Sequence, residues 1–254
     1  MARILAIANQ KGGVGKTTTT INLAAGLAMA GRKVLLIDLD PQGNATMGSG
    51  VDKRSARTTI YEVLLGSSDI REAVLRSESG GYDMVAANRE LAGAEIELVE
   101  LGARENRLKT ALGEIAPDYD YILIDCPPAL NLLTVNGLTA AHAVMIPMQC
   151  EYYALEGLSD LVQTIKKVRA HLNPGLEIEG LLRTMYDPRN SLSQQVSDQL
   201  QQHFGDKVYR TVIPRNVRLA EAPSHGLPAI NFDRQSKGAL AYLALAGEVL
   251  GRRT

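Results

Sequence analysis

Residues 11–17 read Lys-Gly-Gly-Val-Gly-Lys-Thr, a glycine-rich loop with a lysine at each end. The ending Lys16-Thr17 is typical of a phosphate-binding P-loop. In such a loop backbone N–H groups surround a polyphosphate, the lysine reaches the β- and γ-phosphates, and the hydroxyl binds Mg²⁺. The strict pattern G-x-x-x-x-G-K-[ST] requires glycine at position 10, where the chain has Gln10, yet the three glycines leave the loop flexible enough to surround phosphates. The residues predicted to contact the nucleotide here are Lys11, Gly12, Gly13, Val14, Gly15, Lys16, Thr17 and Thr18.

The flanking sequence places this loop between a strand and a helix. Residues 4–8 form a short apolar run, and the apolar residues of 18–30 recur at helical spacing. A strand, a glycine loop and a helix in this order direct the helix N-terminus at an anion. The dinucleotide pattern G-x-G-x-x-G is excluded because Thr18 stands where it requires glycine. Lys11 is a second cation so near the phosphates that packing does not explain it, and we predict that it is functional.

Along the rest of the chain, short apolar runs alternate with helical patterns. Strands are predicted at 3–9, 33–38, 82–87, 120–125, 143–148, 178–184 and 208–213, and helices near 16–30, 91–116, 130–141, 155–171, 191–204 and 236–250. The alternation predicts an α/β fold of the P-loop NTPase type, with a mostly parallel twisted sheet covered by helices on both faces. The stretch 43–80 has weak periodicity and is expected to be a mobile excursion beside the nucleotide. One domain spanning 1–254 is the simplest interpretation.

Composition narrows the class of protein. A net charge of −1 gives no global sign of nucleic-acid binding, so any basic surface must be local. Cys126 and Cys150 are too few for a disulfide scaffold or an obvious metal site and suggest a reducing cytoplasm. No window has the apolar length of a membrane span, and the last eight residues are too short for a membrane-lying helix. We expect a cytoplasmic protein that does not bind membranes.

Carboxylates follow two of the predicted strands, where ligands bind in open α/β sheets. Alternation along an extended chain points Asp38 and Asp40 to the same side, so that one could hold Mg²⁺ through water while the other orients the attacking water. The alternative is that Asp38 caps a turn before Pro41. Asp125 closes the strand Tyr-Ile-Leu-Ile and is interpreted as a Walker B carboxylate that also holds the Mg²⁺ shell through water. Cys126 is interpreted as a buried packing residue.

Two later strand ends are candidates for holding the nucleotide base. Met185 follows strand 178–184, and Pro214-Arg215-Asn216 follows strand 208–213. Asn216 could hydrogen-bond the Watson–Crick edge of adenine, and Pro214 could pack on its face. These predictions rest on position at the same sheet edge.

Seven stretches of the sequence together carry a resemblance to a known family. They are the paired-lysine loop, Asp-Leu-Asp-Pro-Gln-Gly-Asn at 38–44, Ile-Asp-Cys-Pro-Pro at 124–128, Leu-Ala-Gly-Ala-Glu-Ile-Glu-Leu at 91–98, Gln-Cys-Glu-Tyr-Tyr-Ala-Leu-Glu-Gly-Leu at 149–158, Val-Tyr-Arg-Thr-Val-Ile-Pro-Arg-Asn-Val-Arg-Leu at 208–219 and Glu-Ala-Pro-Ser-His-Gly at 221–226. With these motifs the chain resembles the ParA/Soj family of deviant-Walker ATPases of DNA segregation. The resemblance covers essentially the whole chain. Some larger relatives add an N-terminal helix-turn-helix domain; we expect this chain to lack it, as in the short chromosomal branch of the family.

The resemblance implies a working cycle. ATP and Mg²⁺ binding pair two subunits face to face, Lys11 of each reaches the phosphates of the other, and a side chain at Gly12 would block this pairing. Lys16 and Thr17 act within the subunit, Asp40 positions the hydrolytic water, and Asp125 belongs to the second switch. The ATP-bound homodimer binds double-stranded DNA without sequence preference on the nucleoid. A ParB-like partner then stimulates hydrolysis through a basic N-terminal segment and releases the dimer.

Charge gives an independent indication of the DNA surface. Between 183 and 218 there are six cations against three acids, which suits a strip that contacts phosphates, although an ordinary solvated face would have the same charge. The predicted DNA-contacting residues are Arg189 and Arg218, followed by Arg215 and Lys207. The low content of large aromatic residues argues against stacking on single strands.

Three other functions share parts of this pattern. A MinD-like membrane-associated ATPase that positions cell division has the same loop but should end in an amphipathic helix. A nitrogenase-type reductase would need a bridging iron–sulfur cluster, for which Cys126 is badly placed. A P-loop synthetase or kinase should turn over ATP only with its own substrate.

Overall fold

The computed structural model describes residues 2–252. Its strands are Arg3–Ile7 (β1), Val34–Asp38 (β2), Val74–Ser77 (β3), Tyr82–Val85 (β4), Tyr121–Asp125 (β5), Ala143–Gln149 (β6), Glu177–Tyr186 (β7) and Val208–Pro214 (β8). Its α-helices are Lys16–Met29 (α1), Asn44–Gly48 (α2), Ile60–Leu65 (α3), Ile70–Ala73 (α4), Leu91–Glu97 (α5), Arg107–Ile115 (α6), Leu132–Ala140 (α7), Ala154–His171 (α8), Ser191–Phe204 (α9), Val217–Glu221 (α10), Ala229–Phe232 (α11) and Lys237–Gly251 (α12). Short 3₁₀ turns follow α5, α6, α9 and α10.

One sheet of eight strands runs through the described residues, in the order β3-β4-β2-β5-β1-β6-β7-β8. Only the edge strand β3 is antiparallel to its neighbour; the other strands are parallel. Parallel strands need crossover helices, which cover both faces of the sheet, so the central strands are apolar along their whole length. Every residue of β2 and β5 is buried. The predicted fold class is confirmed.

The alternation of side chains along the strands divides the core into two layers. Leu5 and Ile7 of β1 pack on one face, in the cluster that contains Leu23 of α1 and Leu245 of α12. Ile4 and Ala6 pack on the other, among residues of α3 and α5 to α9. Successive side chains of a strand point to opposite faces, which accounts for the split.

Two expectations about the elements were wrong. The stretch 43–80 is not an irregular excursion, because it contains α2, α3, α4 and β3; these elements are four to six residues long, too short to show a clear period. The helix predicted over 91–116 is two helices, α5 and α6. They are separated by a segment in which Ala103 has a φ of 52°, a left-handed conformation that ends a helix.

The topology sets the position of the functional site. β1 lies between β5 and β6, and Ile7 at its end is in register with Asp125, which is itself in register with Asp38 of β2. The loop after β1 therefore begins beside both carboxylates. Ligands of open α/β sheets bind in the crevice outside the carboxyl ends of such strands.

Candidate nucleotide-binding site

The glycines of the loop after β1 adopt the conformations that a phosphate cradle needs. Gly13 and Gly15 have φ values of 73° and 88°, in the left-handed region that residues with a Cβ avoid. Gly15 also caps the N-terminus of α1. The hydroxyl of Thr184, on β7, donates to the carbonyl oxygen of Val14 at 2.7 Å and ties the loop to the sheet. The N-terminus of α1, a favourable position for an anion, thus opens into the loop.

Lys16 lies inside this cradle. It is 7% exposed, and its Nζ donates to the carbonyl oxygen of Lys11 at 3.2 Å, across the loop. Burial lowers the pKa of Lys16, while Asp125 acts in the opposite direction. A buried ammonium without a carboxylate in direct contact is suited to bind phosphate oxygens.

Four consecutive threonines open α1, and their side chains have different surroundings. Thr17 Oγ1 donates to Asp125 Oδ2 at 2.8 Å, and Thr20 Oγ1 lies 3.0 Å from Asp125 Oδ1. Thr19 Oγ1 is 3.1 Å from the hydroxyl of Tyr242 on α12. Thr18 lines the cavities described below. α1 is therefore joined to β5 on one side and to α12 on the other.

The two strand-end carboxylates Asp38 and Asp125 are fully buried and close to each other. Burial, and next the charge of Asp38, raise the pKa of Asp125 to about 8. Burial likewise raises the pKa of Asp38 to about 6, although hydrogen bonds from Thr46 act against the rise. Two buried carboxylates on neighbouring strands disfavour a second negative charge, and a divalent cation would relieve this repulsion.

Asp38 and Asp40 do not face the same environment. Asp38 accepts hydrogen bonds from the backbone N–H of Asp40 and from the N–H and hydroxyl of Thr46, at 2.8 to 3.0 Å. These contacts match the alternative in which Asp38 holds the turn. Asp40 is partly exposed and lines the phosphate cavity, which Asp38 does not reach. A role of Asp38 in the Mg²⁺ shell stays a prediction.

A cavity of about 280 Å³ lies over the glycine loop. Its lining consists of Gly12, Gly13, Gly15, Lys16, Thr17, Thr18, Asp40, Asn44, Pro128 and Met185. Asn44 and Pro128 are not among the predicted site residues. Asn44 nevertheless ends the motif 38–44, and Pro128 ends the motif 124–128. The hydroxyl of Thr17 lines this cavity and donates to Asp125, which is buried behind the lining; both side chains offer hard oxygen atoms, the ligand type that Mg²⁺ takes.

A second cavity of about 360 Å³ adjoins the first and shares Gly15, Thr18 and Met185 with it. Its other lining residues are Thr184, Ile213, Pro214, Arg215, Asn216, Val217, Leu219, Ala220 and Tyr242. The lining is mostly apolar with a few polar groups, as in sites for planar heterocycles. Met185, Pro214 and Asn216 are thus brought together as their strand-end positions required, while contact with a base stays a prediction. Asn216 also accepts a hydrogen bond from the N–H of Arg218 and caps α10.

Lys11 stands apart from the phosphate cavity. It does not line that cavity, its side chain is 47% exposed, and its Nζ forms an ion pair with the exposed carboxylate of Glu151. Next to it, a Cβ built on Gly12 would meet nothing within 4 Å. Tyr152 and Tyr153, beside Glu151, are exposed and contact each other edge to face. Lys11 and Gly12 therefore form an open rim.

The cations predicted to contact DNA fall into two groups. Arg189 follows β7, Arg215 and Arg218 follow β8, and all three lie at the edge of the sheet that carries the cavities. Lys207 precedes β8 and lies beside Gly180 near the start of β7, so it is at the opposite edge, about 20 Å away by strand rise. Lys207 therefore does not form one strip with the three arginines, because the two ends of a strand lie at opposite edges of the sheet; DNA contact by these residues stays a prediction.

Two of these arginines are already paired. Arg189 Nη2 lies 2.9 Å from Asp187 Oδ2. This pairing lowers the pKa of Asp187 to about 2, an effect to which Arg215 also contributes. Arg218 lies between Glu221, at 2.8 Å, and Asp233, at 3.3 Å. No acidic partner of Arg215 lies within the described residues 2–252.

The cysteines have packing surroundings. Cys126 is buried beside α7, where a Cβ on Gly137 would come within 2.9 Å of its sulfur. Burial and the neighbouring Asp125 raise the pKa of its thiol. The interpretation of Cys126 as a packing residue is consistent with this environment.

Among residues 2–252 there is no helix whose length and apolar character would let it span a bilayer.

Known proteins resemble this chain over nearly all of its length. A family model described as an AAA domain matches residues 2–178. The chromosome partitioning protein ParA of Caulobacter vibrioides is 55% identical over 252 residues, covering 98% of this chain and 94% of that protein. The sporulation initiation inhibitor protein Soj of Bacillus subtilis is 55% identical over 249 residues, covering 98% of each chain.

Solved structures agree in fold. A cobyrinic acid a,c-diamide synthase from Mycobacterium smegmatis with bound ADP and magnesium has a TM-score of 0.87 at 41% identity, covering 98% of this chain and 94% of that one. The cell division ATPase MinD of Pyrococcus furiosus has a TM-score of 0.81 at 27% identity, covering 99% of each. The two-lysine loop, the strand-end carboxylates and the full-length identity to ParA and Soj agree, and this chain belongs to the ParA/Soj family of chromosome-partitioning P-loop ATPases.

Proposed function

We propose that this protein is a DNA-segregation ATPase whose subunits pair around ATP·Mg²⁺, bind double-stranded DNA without sequence preference, and are reset when a ParB-like partner stimulates hydrolysis. The observation that carries this proposal is the position of Lys11. A P-loop lysine that is exposed, and whose ammonium contacts Glu151 rather than its own phosphate cavity, is free to reach a nucleotide held by another subunit.

Within one subunit the residues divide the work on the nucleotide. Lys16 binds the β- and γ-phosphates, and the hydroxyl of Thr17 with the carboxylate of Asp125 holds Mg²⁺, which when bound neutralises phosphate charge. Asp40, the partly exposed carboxylate in the phosphate cavity, orients the attacking water. The apolar cavity that contains Met185 and Pro214 holds the base.

Between subunits the rim at Lys11 and Gly12 forms the contact. Because nothing lies within 4 Å of a Cβ at Gly12, the backbone there is open to an approaching surface. A partner's phosphates would supply a doubly charged site for Lys11, whereas Glu151 offers one exposed carboxylate, and an exposed ion pair contributes only about 0–1 kcal/mol. Nucleotide in both subunits would therefore draw both lysines across the interface.

Pairing also creates the DNA surface. Arg189, Arg215 and Arg218 lie at the nucleotide edge of one subunit, and a twofold dimer doubles them into a longer row of cations. Such a row binds phosphates without reading bases, which would hold the ATP-bound dimer on the nucleoid. DNA affinity then follows ATP occupancy.

The test is ATP turnover measured with DNA alone, with a ParB-like protein alone, and with both. We expect weak basal turnover and a more than additive increase with both ligands. A matched assay with anionic liposomes in place of DNA addresses the MinD-like alternative. ATP-dependent pelleting with liposomes, without DNA binding, would overturn the proposal in favour of a membrane ATPase.

A further inference from the structure

The outer side of residues 90–100 exposes large apolar side chains. Ile96 is 77% exposed and Val99 is 55% exposed, whereas Leu91, Ala94 and Leu98 of the same segment are buried. The buried set recurs every three or four residues and fixes the segment on the core, so the exposed pair lies on the opposite side. Leu130, which is 40% exposed, lies nearby in the loop between β5 and α7.

The same surface is acidic. Residues 89–105 contain five acids against two arginines, and Arg104 is already paired with Glu105. Glu90 lines a cavity with Lys53, Arg54 and Arg89, whereas Glu95, Glu97 and Glu100 have no ion-pair partner in the part of the chain that the structure describes, residues 2–252. We use the name acidic docking face for Glu95, Ile96, Glu97, Val99 and Glu100.

This face is connected to the nucleotide site by one side chain. The Nδ2 of Asn131 donates to Glu95 Oε1, and Asn131 ends the loop that begins after Asp125. Pro128 of that loop lines the phosphate cavity. A ligand that moves Glu95 would therefore act directly on a loop that lines the phosphate cavity.

We propose that the acidic docking face binds a cationic, partly apolar segment of the partner protein that stimulates hydrolysis, and that the signal passes from Glu95 through Asn131 to the loop 126–131. This inference rests on the proposed function. Charge complementarity selects the occupant, because Lys and Arg would pair with carboxylates that have no cation of their own. A second copy of this chain would set acids against acids, and DNA would be repelled.

Exposed apolar residues surrounded by unpaired charge are the arrangement of a binding patch with an apolar centre and a polar rim. Ile96 and Val99 supply the centre. The carboxylates favour a partner segment of positive charge and speed its approach. Because salt screens this attraction, partner binding should weaken as the salt concentration increases.

The experiment uses the full chain with ATP, Mg²⁺ and duplex DNA, and a full-length ParB-like protein as the probe. Binding is measured by interferometry with the partner immobilised, and turnover is measured in parallel. For the double variant Ile96→Ser/Val99→Ser we expect partner affinity to fall by about tenfold or more, with basal turnover and DNA binding unchanged. Glu97→Lys/Glu100→Lys should give the same loss and a flatter salt dependence.

Matched controls are exposed positions elsewhere. Leu240→Ser removes an apolar side chain from α12, and Glu78→Lys reverses a charge in the turn between β3 and β4. Both should behave as the wild type. Asn131→Asp separates binding from signalling, because aspartate still accepts the capping hydrogen bond from the N–H of Thr134 but cannot donate to Glu95. It should keep partner binding and lose stimulation.

The possible results distinguish among the docking face, the signalling route and the proposed function. Partner binding and stimulation of Ile96→Ser/Val99→Ser at wild-type levels would overturn the docking face and leave the proposed function intact. Stimulation of Asn131→Asp at the wild-type level would overturn the signalling route. A wild type that neither binds nor responds to the partner would overturn the proposed function as well. Nucleotide-independent self-association that the double variant abolishes would assign the face to a second copy instead.

Discussion

The two lysines of the P-loop differ in burial, and the difference separates their roles. Lys16 is almost fully buried with its ammonium inside the loop, whereas Lys11 is half exposed and lies outside the phosphate cavity. We expect the buried cation to serve the nucleotide of its own subunit. The exposed one costs little to move, and we expect it to serve contacts with a second subunit.

Substitution of each lysine should therefore give a different defect. Lys16→Ala should abolish nucleotide binding, because within the described residues 2–252 it is the cation that lines the cradle. Lys11→Ala should bind ATP normally and lose the ATP-dependent dimer. Binding of a fluorescent ATP analogue and sedimentation velocity measure the two properties. A normal ATP dimer in Lys11→Ala would refute the role of this residue between subunits.

Gly12 offers a second test of the same contact. A Cβ there meets nothing within 4 Å, and its φ is not positive, so Gly12→Val should fold as the wild type does, and binding of the ATP analogue is measured with it because Gly12 also lines the phosphate cavity. Two opposed loops would clash at the added side chain, so dimerisation should be lost. Gly113→Val on α6, whose Cβ also meets nothing, is the control for adding a β-branched residue. Equal ATP dimers in wild type and Gly12→Val would contradict close passage of the loops.

The buried pair of Asp38 and Asp125 predicts a pH dependence for the nucleotide-free protein. Their folded pKa values are raised, to about 6 and about 8, so the folded state holds protons that the unfolded state has released. Their contribution to stability is complete below the ordinary aspartate pKa near 3.8 and is lost as pH rises through these folded values. The loss approaches about 1.4 kcal/mol per pH unit for each proton involved.

Thermal unfolding between pH 5 and pH 9 measures this contribution. Asp125→Asn removes the group with the larger pKa shift, so its stability should fall less over this range than that of the wild type. Mg²⁺ with ATP should also flatten the wild-type profile, since a cation stabilises the ionised carboxylates. Parallel profiles for wild type and Asp125→Asn would show that Asp125 does not titrate in this range.

At the scale of elements, α10 joins the second cavity, proposed to hold the base, to the arginines proposed to contact DNA. Val217, Leu219 and Ala220 of this helix line the cavity, and Arg218 between them points to Glu221 and Asp233. One helix of five residues thus carries both contacts. If base binding shifted α10, the shift would also change the distances from Arg218 to Glu221 and Asp233.

DNA affinity should change when either the arginine or the carboxylate of these ion pairs is substituted. Arg189→Glu and Arg218→Glu should lower DNA affinity and flatten its salt dependence without affecting dimerisation, because each removes a phosphate contact. Lys33→Glu, which makes the same charge change at the amino edge of the sheet, is the control. Asp233→Asn should do the reverse and raise affinity, since it removes one of the two carboxylates that pair with Arg218. Salt slopes unchanged in both arginine variants would place the DNA surface elsewhere.

At the scale of the whole molecule, local motifs were more predictable than the way the chain assembles them. The loop 11–17 and the strand ends at Asp125 and Met185 were found because each combines a strand with a specific residue at its end. The topology then brings them together at the carboxyl edge. β3 was not found because four residues cannot show a period, and its place beside β4 depends on tertiary packing. Lys207 was grouped with the arginines for a similar reason. A count of charges along the sequence does not show at which end of a strand each residue lies.

The four threonines of α1 have a further consequence for measurements of motion. Three of their hydroxyls connect the helix to Asp125 and Tyr242, in the centre of the molecule. Amides of α1 should then exchange with deuterated solvent only through opening of the whole core, more slowly than those of the loops around the cavities. α1 can serve as the internal reference in a hydrogen-exchange experiment, against which nucleotide-dependent protection of the rim at Lys11 and of the loop 126–131 is read.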